Sequence, residues 1–144
     1  MKPTPKGWPR MFASVYYEDA RSAIDWLGRA FGFEVRLKVE GDAGSIVHSE
    51  LTLGDGLIMV GSADRRAGHR SPRALDGANT QALFVYVDDA DAHCARARAE
   101  GARIVTEPTT TDYGEEHWSD HGYQCQDVEG HTWWFAHRVT TRGR

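Results

Sequence analysis

Two stretches of this chain can be laid over one another at a separation of 70 residues, and that repeat limits the fold more than any other feature. Val15, Tyr16, Asp19 and Ala20 match Val85, Tyr86, Asp89 and Ala90, and Val35 matches Val105. A period of this kind marks one structural unit used twice. In the first unit, residues 11–17 (MFASVYY) read as a strand. Asp19 is placed to cap a helix by accepting from its free N–H groups. Ala20, Ala23, Ile24, Leu27 and Phe31 then recur at helical spacing, and Gly32 stands where a left-handed terminating residue is usual. Strands follow over residues 33–39, 45–53 and 57–60, with glycine-bearing turns between them.

The second unit repeats the plan. Residues 81–87 read as a strand, 90–100 as an alanine-rich helix ended by Gly101, and 102–106 as the next strand. A polar loop is expected over residues 108–122, then strands at 123–126 and 132–136 around a turn at 127–130. The expected organisation is one α+β domain over residues 1–144. It comprises a first βαβββ module at 11–62, a connecting loop at 63–79 and a second βαβββ module at 80–137. The two modules are expected to form a curled mixed sheet around a central cup, with a helix on one face of each half.

Strand alternation assigns the faces. Ala13, Val15, Leu83 and Val85 point toward the helices, and Phe12, Ser14, Tyr16, Ala82, Phe84 and Tyr86 point away. Val47, Ser49, Leu51 and Leu53 share one face of their strand, and His48, Glu50 and Thr52 the other. Gln124 and Gln126 oppose Tyr123 and Cys125, and Trp134 opposes Trp133. A helix-free face carrying rings with His48, Glu50, Gln124 and Gln126 has the character of a small-molecule pocket. Its expected lining is Phe12, Ser14, Tyr16, His48, Glu50, Phe84, Tyr86, Trp118, Gln124, Gln126 and Trp134.

Composition excludes other classes. The formal charge is −4, from 17 basic and 21 acidic side chains, which argues against a nucleic-acid partner. No apolar run approaches the roughly 20 residues needed to span a bilayer, so no membrane partner is expected. Residues 1–10 (MKPTPKGWPR) lack the apolar core of a signal peptide, and a cytoplasmic location is the expectation. The two cysteines, Cys94 and Cys125, read as buried thiols rather than a disulfide.

Residues 17–33 (YEDARSAIDWLGRAFGF), 87–92 (VDDADA), 100–102 (EGA), Tyr113-Gly114 and 127–133 (DVEGHTW) together resemble the glyoxalase, bleomycin-resistance and extradiol-dioxygenase superfamily, also called the vicinal oxygen chelate superfamily. Residues 47–61 (VHSELTLGDGLIMVG) look most like its PhnB-like branch. The resemblance covers about residues 11–137 and implies paired βαβββ modules, homodimers, and a cup for a small molecule or metal. Metalloenzymes of the family hold a divalent ion with four His, Glu or Gln side chains from the first and last strands of the modules. The matching positions here are Phe12, Ala82, Trp134 and either Val60 or, with the register slipped by one, Met59. None of these suits an oxygen-polarising divalent ion, so no metal and no other cofactor is expected.

The expected function is therefore small-molecule binding of the glyoxalase and bleomycin-resistance type, without the usual metal. One alternative is a lyase, isomerase or dioxygenase using a displaced metal or acid–base residues. His48 and Glu50 are the candidates for acid–base work, and His117 and His121, beside Glu115, Glu116 and Asp120, for a non-standard metal site. Another is a structural or partner-binding module. His131 reads as turn packing, and Arg65, Arg66, Arg70 and Arg73 as a solvated charged loop.

Overall fold

The computed structural model describes residues 1–141. Module one runs β1 (Ala13–Tyr17), α1 (Ala20–Phe31), β2 (Glu34–Glu40), β3 (Ile46–Leu53) and β4 (Gly56–Ser62). Module two runs β5 (Ala82–Tyr86), α2 (Ala90–Ala99), β6 (Arg103–Asp112), β7 (Trp118–Gln126) and β8 (Thr132–Thr141). The helix boundaries follow the expected caps. The Asp19 and Asp89 side chains accept from the backbone N–H groups of Ser22 and Ala92, and Gly32 closes α1 at φ 86°.

The curled sheet with a central cup is not what forms. The strands make two separate four-stranded sheets, ordered β1-β4-β3-β2 and β5-β8-β7-β6, and neither is closed or strongly curled. Four strands with the usual twist of roughly 20–25° between neighbours do not bring the edges of a sheet together. Burial instead unites the modules through their helix-bearing faces. Tyr17, Leu27, Phe31 and Leu51 from the first module share one core with Tyr123, Cys125, Trp133 and Phe135 from the second. Phe31 meets the rings of Trp133 and Phe135 at centroid distances of 5.3 and 4.7 Å. The helix-free faces are left open.

Three local expectations also give way. Residues 108–122 are largely strand, since β6 and β7 form a long hairpin with a short turn. Thr109 to Thr111 supply β-branched residues, and Pro108 falls inside the register shift between Thr106 and Thr109, where its missing N–H is tolerated. Val47 is 68% exposed, whereas Ile46 is buried, because a register shift beside Val39 breaks the alternation there. Val60 is buried on the helix side opposite Val15, and Met59 takes the free face opposite Ser14.

Buried polar groups complete the join. Asp127 accepts from the Tyr17 hydroxyl at 2.6 Å and the Trp133 indole N–H at 2.9 Å. Its other oxygen accepts from the backbone N–H groups of Glu129 and His131. Glu129 accepts from the Ser71 hydroxyl and from the backbone N–H groups of Glu18 and Asp19. His131 donates through Nε2 to the Tyr16 carbonyl at 2.7 Å, a packing role as expected for this turn residue. Cys94 and Cys125 are buried free thiols, and burial pushes the Cys125 thiol up to about 12.

His93 links the helices. Its Nε2–H donates to the Phe31 carbonyl at 2.9 Å, so Nδ1 accepts from the Tyr123 hydroxyl at 2.6 Å. Burial holds its pKa below 6.5; the hydrogen bond to Phe31 opposes that shift and the Arg96 charge adds to it. With the folded pKa depressed, the unfolded chain binds more protons below about pH 6.5, so this contribution is full above that pH and lost as pH falls. Unfolding free energies measured by denaturant from about pH 7.5 to about pH 5 should therefore fall more steeply for the native protein than for His93→Phe. Parallel curves would remove His93 as the cause.

Candidate binding faces

The free face of the second sheet is built by even-numbered residues. Strand register sets Phe84 beside Trp134 and Trp134 beside Gln124. Phe84 and Tyr86 are each 53% exposed and meet edge to face at 5.4 Å. Gln124 accepts from the Thr106 hydroxyl, and Gln126 lies opposite Thr132 within reach of Arg103. Farther along β8 comes a cluster that the sequence reading missed. Arg138 donates to Asp120 at 2.6 Å and to the Tyr86 hydroxyl, while Tyr86 donates to Asp120. The guanidinium also lies 4.9 Å over the Trp118 ring. Trp118 therefore stacks on a fixed cation and keeps its outer part exposed. The signal was available in the alternation of Trp134, Ala136 and Arg138 along β8.

Phe12, Ser14, Phe84 and Tyr86 line one open cleft of about 790 Å³ between β1 and β5, with Phe33 and Leu53 among its other walls. The remaining expected residues do not join it. Tyr16 stacks flat on His69 at 3.9 Å. His48 donates through Nε2 to Glu50 at 3.2 Å, and Arg36 donates to the same carboxylate at 2.8 Å. The Arg36 hydrogen bond holds the Glu50 carboxyl below its usual range, with His48 adding to the effect against desolvation. Arg36 also donates to the Gly7 carbonyl and lies 4.6 Å over the Trp8 ring, so this group braces the N-terminal segment. A glutamate committed to two donors is a poor general base.

The family's divalent ion does not fit the residues present. Trp134 beside Phe84, and Met59 beside Ser14, occupy the facing positions of the last and first strands, and Phe12 and Ala82 offer no donor. His117 and His121 diverge: His121 donates to Asp91 and accepts from Thr110, and His117 sits in the β6–β7 turn. Among the described residues, no group of three His, Cys, Asp or Glu side chains could hold a metal ion.

Paired βαβββ modules that share one core define the fold of the vicinal oxygen chelate class. The family model for the Glyoxalase/Bleomycin resistance protein/Dioxygenase superfamily matches residues 11–135, and the chain belongs to that superfamily. It is similar to TioX from Micromonospora sp. ML1, at 30% identity and a TM-score of 0.69, over 91% of this chain and 99% of that one. TnmS3 from Streptomyces sp. CB03234, an antibiotic binding protein, shares the fold at 19% identity and a TM-score of 0.65, over 89% of this chain and 93% of that one. The uncharacterized protein Rv0887c of Mycobacterium tuberculosis (strain ATCC 25618 / H37Rv) is 28% identical over 128 residues, which is 87% of this chain and 72% of that protein. No helix among the described residues is long and apolar enough to cross a membrane.

Proposed function

We propose that this chain is a small-molecule-binding protein that acts by sequestration or sensing and needs no metal. The observation that carries this reading is the row of Phe84, Trp134 and Gln124 on the free face of the second sheet, with Tyr86 and Trp118 beside it. Rings left half-exposed on a sheet face offer area for stacking on a planar guest, and the Gln124 amide supplies a directional polar contact. TnmS3, an antibiotic binding protein, shares this fold, which supports a small organic guest; the rings of the free face favour one that is planar and partly aromatic. A thermal-shift screen of planar aromatic compounds, followed by calorimetry, tests the reading. Saturable binding that Trp134→Phe weakens supports it. Binding that Trp134→Phe leaves unchanged contradicts it.

The same reading takes the protein as a cytoplasmic homodimer of the PhnB-like branch. Residues 47–61 support the branch and two free thiols support a reducing compartment. The unpaired edge of β5 supports a second copy docking along that edge. Light scattering at micromolar concentration is expected to give twice the 16.1 kDa chain mass. A mass of one chain would refute the dimer.

A further inference from the structure

We infer that residues 4–12 are a strap that holds one wall of the cleft between β1 and β5, and that Arg36 is the positioning residue that keeps the strap closed. The inference rests on the aromatic face being the ligand site, since Phe84 and Tyr86 of that face also line the cleft. It gives a role to the charged group on the free face of the first sheet.

Met11 and Phe12 line the cleft, yet both precede β1, whose pairing with β4 begins at Ala13. The strand ladder therefore does not fix them. Residues 1–12 form no helix or strand, and Pro3, Pro5 and Pro9 remove donors that this run would need to join the sheet. Phe12 is placed by Trp8, whose ring lies 5.3 Å from its own. The Arg36 guanidinium lies over Trp8 at 4.6 Å, and its Nη1 donates to the Gly7 carbonyl at 2.7 Å. Among the described residues, this is the one hydrogen bond by which residues 1–10 reach the rest of the chain.

The anchor is firm and the strap is not. Arg36 Nε donates to Glu50 at 2.8 Å, and His48 holds the other oxygen of that buried carboxylate at 3.2 Å. By contrast, a space of about 610 Å³ lies between residues 4–9 and Arg36, Thr52 and residues 54–57. Asp55, Gly56 and Leu57 line both this space and the cleft, so the two adjoin. A segment with little buried contact and one hydrogen bond opens at low cost. Opening would join the two spaces and take Phe12 out of the cleft wall. A guest that packs on Phe12 binds the closed form, so its affinity scales with the closed fraction.

Amide relaxation and titration with 2-naphthol, on the isotopically labelled full chain, test the strap. Without ligand, residues 4–12 are expected to be as rigid as β1 on the nanosecond timescale in the native protein, and to loosen in Arg36→Gln. 2-Naphthol is expected to shift the amides of Phe12 and residues 82–86. Arg36→Gln should weaken its binding about tenfold, as a closed fraction of about one in ten requires. Trp8→Ala should do the same, and the double variant no more than either, because both break one contact. In a Phe12→Ala protein, which has already lost the wall, Arg36→Gln should change the affinity by less than about twofold. If Arg36→Gln does not fold, Trp8→Ala carries the same comparisons. The strap is refuted if residues 4–12 stay rigid in the variant, if native and variant proteins bind 2-naphthol alike, or if the two losses add. Absence of any shift at the cleft in the native protein would overturn the ligand-site reading and this inference with it, whereas equal binding by native and variant proteins overturns the strap alone.

Discussion

Replacing Asp127 with alanine is expected to lower the unfolding free energy by about 3–5 kcal/mol and the melting temperature by on the order of 10 °C. The substitution orphans the Tyr17 hydroxyl, the Trp133 indole N–H and the backbone N–H groups of Glu129 and His131 at once. Tyr17 and Trp133 are both fully buried, so water cannot replace the lost acceptor. Asp127→Asn should cost less. Its amide oxygen can keep the two backbone donors, while its NH2 group faces the Trp133 donor and can still donate to the Tyr17 oxygen. Tyr17→Phe, which removes one donor and leaves the carboxylate three, should cost least. Denaturant unfolding gives the order. An Asp127→Ala protein within about 1 kcal/mol of the native one would mean that the modules are not joined through this carboxylate.

The adjacent tryptophans are expected to give opposite results. Trp133 is fully buried among Phe31, Phe33 and Phe135. Trp133→Ala should destabilise the fold by about 3–5 kcal/mol, as large-to-small substitutions in a packed core do. Trp134 is half-buried on the free face beside Phe84 and Gln124. Trp134→Phe should leave stability within about 1 kcal/mol of the native value, since most of its surroundings are open. Its effect should fall on ligand affinity, because a smaller ring loses stacking area. Equal stability losses at the two positions would mean that both faces of β8 are core, and that the open face described here is closed.

Much of the architecture was legible because local chemistry determines it. Asp19, Asp89 and Gly32 mark helix ends wherever the helices go, and the period of two in Leu83, Val85, Tyr123 and Cys125 assigns faces without tertiary information. The expected curled cup does not form, because sheet closure depends on how the modules dock, and docking is decided by Phe31, Trp133 and their neighbours meeting across the chain. Val60 and Met59 were both open as the free-face position because a shift of one residue in β4 reverses every side chain, and only pairing with β1 selects Met59. The bulge that exposes Val47 has the same origin. At the candidate sites, the row of Phe84, Trp134 and Gln124 could be read from alternation. The Trp118–Arg138–Asp120 group and the hold of Arg36 on Trp8 depend on contacts between distant segments.

The central claim is that ligand binding rests on aromatic contact and not on a divalent ion. Its most direct test is the affinity of a compound found in the planar aromatic screen, measured by calorimetry in excess EDTA and again after adding back manganese, nickel or zinc. The account predicts one dissociation constant throughout, within experimental error. Loss of binding in EDTA that a divalent ion restores would contradict it.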